Sequence, residues 1–265
     1  MTQETILSAL GQHPWAGNLV VLDSVDSTNL YAKKRAADGA PHGTVVVANM
    51  QTRGRGRLGR QFASPKDLGI YLTVLLRYDC TPDRLMNLTC VAAEAVRRAI
   101  FDCCGVDASI KWINDLVCRK KKLCGILTEL SVKPGGEVDY VICGIGVNCG
   151  QLPEDFPPEV APMATSLRQL LGHPINRSAL AAAMIRHLHQ AADALPDRAG
   201  PWMDAYRQHC LTLGQDVQLI RNEQVQPAHV DGVDDSGALL VTYPDGSTGT
   251  VFSGEVSVRG LYGYL

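Results

Sequence analysis

The chain has 265 residues, 46% of them hydrophobic and 20% charged, and a formal net charge of −2. That length favours one large domain plus a small one, and the composition is that of an ordinary globular enzyme. With no global positive field to hold the chain on nucleic acid or anionic lipid, any anion recognition has to be local.

Residues Met1 to Leu10 include Glu4 and lack the positive start and long apolar stretch of a signal peptide or membrane span. The strand readings begin with two apolar, β-branched runs, Asn18 to Asp23 and Gly43 to Met50. Between them, Asn29 to Asp38 reads as a helix that stops at Gly39. A polar loop rich in Arg and Gly, Gln51 to Leu68, leads into a strand from Gly69 to Tyr78. Pro82 starts a helix to about Cys104, whose apolar residues at Leu85, Leu88, Val91, Ala92, Ala95, Val96 and Ile100 suit a face packed on a sheet. Three more strands are expected at Ala108 to Trp112, Lys122 to Ser131 and Val138 to Asn148. The proline-rich stretch Pro153 to Pro162 reads as a loop, and helices are expected at about Arg177 to Leu195 and Pro201 to Cys210. From Gly214 short β-rich runs follow: Val217 to Ile220, Ala238 to Tyr243, Thr250 to Phe252 and Glu255 to Val258. Their close, regular spacing predicts a small barrel. The change of character divides the chain into residues 1–212 and 213–265.

The nine cysteines are odd in number, and no pair has the C-x-x-C spacing of a zinc or redox site. They read as small buried hydrophobes of a cytoplasmic protein. The histidines form no H-x-x-x-H pattern and receive no role.

Chemistry concentrates in two places. Arg53-Gly54-Arg55-Gly56-Arg57-Leu58-Gly59-Arg60 interleaves guanidinium forks suited to carboxylate and phosphate oxygens with glycines that permit close backbone approach. With no apolar anchor beyond Leu58, the loop is expected to stay mobile until an anion neutralises it. It lies between two apolar strands rather than in a low-complexity tail, which favours a binding loop over a loose RNA-contacting segment. It is not a Walker loop, and Gly144-x-Gly146 is not a dinucleotide fingerprint. The second place is a set of polar residues at strand edges: Lys111-Trp112-Ile113-Asn114-Asp115, Lys122-Leu123-Cys124-Gly125-Ile126-Leu127-Thr128-Glu129 and Gly144-Ile145-Gly146-Val147-Asn148. Lys111 and Lys122 can neutralise anionic charge, while Asn114, Asp115 and Asn148 can bond a ligand or a metal that bridges phosphates.

In order and approximate spacing these motifs resemble those of the biotin protein ligases. Asp26-Ser27-Thr28-Asn29 resembles the motif opening the same catalytic domain, and Gly254-Glu255-Val256-Ser257-Val258-Arg259 resembles the end of the family's small C-terminal domain. The resemblance implies an α+β fold: a mixed sheet with helices on one face, of the class II synthetase-like biotin/lipoate ligase type, plus an SH3-like barrel. It implies two half-reactions, formation of biotinyl-5′-adenylate from biotin and ATP with Mg²⁺, then transfer to a lysine of a biotin carboxyl carrier protein or domain. By motif, Ser27, Thr28, Asn29, Gln51, Gly54, Arg55, Gly56, Arg57, Lys122 and Gly125 resemble the biotin-binding set. Arg57, Arg60, Phe62, Lys111, Asn114, Asp115, Asn148 and Arg259 resemble the nucleotide set, with Asp115 towards the metal. Arg57, Lys111 and Lys122 are expected to carry catalysis by charge stabilisation. Ile113 and Phe62 depart from the family's usual proline and tryptophan. Lipoate ligases share the fold, but the Arg/Gly loop and the C-terminal β unit favour biotin. Residues 1–17 are too few for the helix-turn-helix domain of the family's repressors, so no DNA binding is expected. Family members occur as monomers and dimers, and a homodimer is left open.

Overall fold

The computed structural model describes residues 1–221, 224–253 and 257–260, in the last segment by backbone except at Val258. The larger sheet has seven strands in the order β1-β2-β3-β7-β6-β5-β4. These are β1 (Leu19–Leu22), β2 (Thr44–Ala48), β3 (Gly69–Leu76), β4 (Ser109–Lys111), β5 (Asp115–Cys118), β6 (Lys121–Val132) and β7 (Val138–Asn148). β1 and β2 are parallel, joined by the crossover helix α2 (Thr28–Ala37), and every other pairing is antiparallel.

Side-chain alternation gives the sheet two different faces. One face carries Val45, Val47, Ile70, Leu72, Val74, Cys143, Ile145 and Val147 into the main core. There α1 (Gln3–Leu10), α3 (Leu88–Cys104), α5 (Arg177–Ala194) and α6 (Gly200–His209) stack. Each fully buried Val or Leu of this layer contributes roughly 1.5–3 kcal/mol. The other face carries Val46, Leu75 and Ile142 against Ala32, Ala36 and Ala40 at α2. The expected one-sided stacking therefore holds for four helices, while α2 covers part of the opposite face. There α2 leaves the rest of the surface open for a site.

Local chemistry explains the helix ends. Thr2 caps α1 in a capping box with Thr5, and Asn176 Oδ1 accepts from the Ala179 N–H at 3.1 Å at the start of α5. Gly105 ends α3 in the left-handed region with φ 66°. A short helix α4 (Leu167–Leu171) follows the proline-rich loop.

The smaller sheet is antiparallel, in the order β11-β10-β9-β8-β12. It comprises β8 (Asp216–Arg221), β9 (Gln224–Val233), β10 (Leu239–Thr242), β11 (Thr248–Val251) and β12 (Ser257–Gly260). Its inward residues Val217, Leu219, Val230, Leu239 and Val251 join the main core. The strand expected at Glu255 to Val258 begins at Ser257, and residues 254–256 of the motif lie outside the described residues. Helix α1 and strands β5 and β9 were not expected. β5 is only four residues long, and β9 contains Pro227 among polar residues, a composition that reads as loop. All nine cysteines are unpaired and six are buried. No helix among the described residues is long and apolar enough to cross a membrane.

Candidate active site

A cavity of about 800 Å³ opens on the sheet face opposite α3 and α5. The register accounts for its floor. Gly144 and Gly146 of β7 pair with Leu127 and Gly125 of β6 on one side, and with Thr73 and Tyr71 of β3 on the other. All six share the face that carries Ile142 and Leu75. Neither β7 glycine could take a side chain as the structure stands: a Cβ on Gly144 would collide with the Asn29 amide, and one on Gly146 with the Phe62 ring.

Eight stretches of the chain meet here. Ser27, Thr28 and Asn29 come from the start of α2, where the first turn is buried. The Gln51 Oε1 accepts from the Thr28 N–H at 2.9 Å and its hydroxyl at 3.0 Å, while Gln51 Nε2 donates to Ser64 Oγ at 2.9 Å. These bonds set the Gln51 amide one way round. Asn29 Oδ1 accepts from Thr73 Oγ1 at 2.8 Å, and its Nδ2 donates to Glu129 Oε2 at 2.9 Å.

The Arg/Gly loop forms a tight hairpin over the cavity. The Gly56 N–H donates to Arg60 O at 2.8 Å and the Phe62 N–H to Gly54 O at 2.9 Å. The turn passes through left-handed Leu58 (φ 55°) and Gly59 (φ 73°), and Leu58 is 66% exposed. Arg55 Nη1 reaches Glu129 at 3.1 Å. Arg57 donates to Asn114 Oδ1 at 3.1 Å and to the Ser253 carbonyl at the edge of the smaller sheet. Burial lowers the Arg57 pKa, against the pull of Asp115 and with a push from Arg60.

Lys122 Nζ donates to Asp115 Oδ1 at 2.7 Å, and Gly125 leaves the space beside its ammonium, 3.0 Å from where a Cβ would stand. Asn114 Nδ2 donates to Ile126 O at 2.9 Å, and the Trp112–Ile113 peptide preceding it is cis. Lys111 is buried at the end of β4, and Asn148 Nδ2 donates to Thr165 O at 3.0 Å. Thus Ser27, Thr28, Asn29, Gln51, Arg55, Gly56, Arg57, Arg60, Phe62, Lys111, Asn114, Asp115, Lys122, Gly125 and Asn148 all line one cavity. Gly54 does not; a Cβ there would collide with Phe62 O, so its place is in closing the hairpin. Arg259 lies on β12, and its side chain is outside the described residues.

Sequence reasoning missed several parts. Glu129 gathers Asn29, Lys33 and Arg55. Phe156, Val160 and Met163 of the proline-rich loop form an apolar wall, and Gln218 and Val258 bring the smaller sheet to the cavity. Only Glu129 left a signal, as the carboxylate that ends the segment Lys122 to Glu129, where the motifs give it no role.

The arrangement offers a polar end at Thr28, Asn29 and Gln51, a cationic middle at Arg57, Lys111 and Lys122, and an apolar wall beside the Phe62 ring. It suits an anionic ligand that also has a neutral polar part and a flat or apolar part.

Residues 21–148 match the Biotin/lipoate A/B protein ligase family, and residues 212–259 match the Biotin protein ligase C terminal domain. The bifunctional ligase/repressor BirA of Bacillus subtilis is 34% identical over 242 residues, covering 89% of this chain and 71% of that protein. The biotin–[acetyl-CoA-carboxylase] ligase of Paracoccus denitrificans is 33% identical, covering 85% of this chain and 95% of that protein. The biotin protein ligase of Aquifex aeolicus, solved with biotin and ATP, superimposes with a TM-score of 0.78 at 29% identity. That match covers 92% of this chain and 99% of the other. On this evidence the chain belongs to the biotin protein ligase family.

Proposed function

We propose that the chain activates biotin with ATP to biotinyl-5′-adenylate and transfers the biotinyl group to a specific lysine of a biotin carboxyl carrier protein or domain. The observation that carries this reading is the convergence of Arg57, Lys111 and Lys122 on one cavity that also has a neutral polar end. In the first step the biotin carboxylate oxygen bonds to the α-phosphorus of ATP, and the bond to the β-phosphate oxygen breaks, releasing pyrophosphate. The carboxylate is already ionised at neutral pH, so no general base is needed. The difficulty is bringing two anions together, and Arg57, Lys111 and Lys122 offset that repulsion in a partly dehydrated site. In the second step the neutral ε-amine of the acceptor lysine attacks the acyl carbon. A C–N bond forms, AMP leaves, and the amine loses a proton to solvent.

Ser27, Thr28, Asn29, Gln51, Arg55 and Gly56 are assigned to biotin, Lys122 and Gly125 to its carboxylate end. Phe62, Asn114, Asn148 and Arg60 are assigned to the nucleotide, with Arg259 retained on the motif alone. The described residues contain no cluster of three metal-ligating groups, and Asp115, retained on the motif, would give Mg²⁺ a single carboxylate that it shares with Lys122, the remaining ligands coming from ATP phosphates and water. Bound there, the ion would neutralise phosphate charge. A cytoplasmic location agrees with the nine unpaired cysteines.

Biotin-dependent ATP–pyrophosphate exchange tests the reading, with lipoate as the competing acid. Exchange with biotin and a bound species of biotinyl-adenylate mass are expected; exchange with lipoate alone refutes it.

A further inference from the structure

Glu129 stands behind the cavity wall rather than in it, yet three side chains from two other segments converge on its carboxylate. Oε1 accepts from Lys33 Nζ at 2.7 Å and from Arg55 Nη1 at 3.1 Å. Oε2 accepts from Asn29 Nδ2 at 2.9 Å and from the same Arg55 Nη1 at 3.3 Å. Asn29 and Lys33 are one helical turn apart, so α2 presents both on one face. The Glu129 side chain is 19% exposed. Burial would raise its pKa, but the bonds from Lys33 and Asn29 and the charges of Lys33 and Arg55 hold it low.

We propose that Glu129 is a positioning residue for the biotin-binding end of the cavity: it ties the Arg/Gly hairpin to α2 through Arg55 and sets the Asn29 amide. The proposal rests on the ligase reading given above. Asn29 and Arg55 line the cavity, and Glu129 reaches it only through them. The Asn29 amide is held at both ends, by Thr73 on its oxygen and Glu129 on its nitrogen, and the Gly144 backbone is packed against it. Only an anion meets every demand on position 129. A glutamine fills the same volume, but either orientation of its amide points N–H donors at another donor, at Asn29 and Arg55 or at Lys33 and Arg55. It would also leave two cations facing each other with no charge between them.

Glu129→Gln is expected to raise the biotin KM of pyrophosphate exchange about tenfold, with kcat and the ATP KM within about twofold of wild type. Glu129→Asp, which keeps the charge, is expected to recover part of the loss. Lys33→Met, which touches neither the cavity nor the hairpin, is expected to stay near wild type. Without ligands, trypsin is expected to cut between Arg53 and Arg60 several-fold faster in Glu129→Gln, and biotin should slow that cleavage. An unchanged biotin KM in folded Glu129→Gln overturns the proposal, and so does an equal rise in Lys33→Met. If Glu129→Gln does not fold, a wild-type biotin KM in Glu129→Asp together with unchanged cleavage overturns it. If wild-type protein shows no biotin-dependent exchange, the ligase reading fails, and the cleavage comparison alone decides whether Glu129 anchors the hairpin.

Discussion

Lys122 and Asp115 are 2.7 Å apart at the cavity, with side chains 29% and 16% exposed. The pair fixes the ammonium at the cavity, and a glutamine at 122 can still donate to Asp115, so the carboxylate is not left without a partner. Lys122→Gln is therefore expected to keep its thermal midpoint and lose biotin-dependent pyrophosphate exchange by at least about 100-fold, the order seen when one preorganised charge-stabilising donor is removed. Arg57→Ala should behave alike; normal exchange in both, in proteins that melt as wild type does, would remove them from the catalytic assignment. The pH dependence of stability at this scale belongs to Glu129. Its folded pKa is lowered, so its contribution is fully present above the ordinary carboxylate range and is lost as pH falls through the lowered value. Urea midpoints measured across that acid window should fall more steeply for wild type than for Glu129→Gln, and parallel slopes would contradict the ion-paired geometry. Lys111, Lys122, Asn114 and Asp115 were legible as motifs because each carries charge or amide chemistry at a strand edge, and Arg57 because it stands in the Arg/Gly loop. Glu129 ends one of those segments, but its role was not legible, because that role comes from Asn29 and Arg55, which are remote in sequence and meet it only in the folded chain.

At the scale of elements, β7 decides where the cavity is. Its even-numbered residues Ile142, Gly144, Gly146 and Asn148 face away from α3 and α5, and the two glycines are the floor. Gly144→Ala is expected to cost about 1–3 kcal/mol by overpacking and to raise the biotin KM, because the added methyl displaces the Asn29 amide. Calorimetry and exchange kinetics read the two effects separately, and a variant with normal stability and kinetics would show that the floor has spare room. Helix α3 holds the other side together through a buried charge cluster. Glu94 is fully buried and accepts from Arg97 at 2.7 and 3.1 Å and from Arg98 at 2.7 Å. Glu94→Ala should destabilise the protein by about 3 kcal/mol, since it leaves the largely buried Arg97 guanidinium with only the exposed Asp107 as its carboxylate partner. A urea midpoint near wild type would mean the cluster relaxes into water. The long apolar helices and strands were legible from periodicity, whereas β5 and β9 were not: a four-residue strand and a polar, proline-containing one are specified by their neighbours.

Across the whole molecule the two sheets share one core and one cavity. Trp112 Nε1 donates to Gly237 O at 2.9 Å, Asn87 Nδ2 to Asp235 O at 3.0 Å, and Arg207 Nε to Val233 O at 2.7 Å. Ligands that bridge this assembly should stabilise it as a unit. With biotin alone at 100-fold over its dissociation constant the gain is roughly 2.7 kcal/mol, visible as a single shifted transition in calorimetry. A transition that splits, with only one part shifting, would show the smaller sheet to be independent of the site. By itself the sequence determined the mixed sheet followed by a small antiparallel β unit, the main helices and strands, and most of the charged and amide side chains that line the cavity. Those follow from periodicity, from turn residues and from charged side chains whose preferences are local. Only the tertiary structure decided that the site lies on the face opposite α3 and α5, that Gly54 shapes the hairpin, that Phe156 and Met163 wall the cavity, and that Glu129 stands behind it. Each of these depends on which residues pair across strands, and strand register is settled by the burial of whole faces rather than by any one segment.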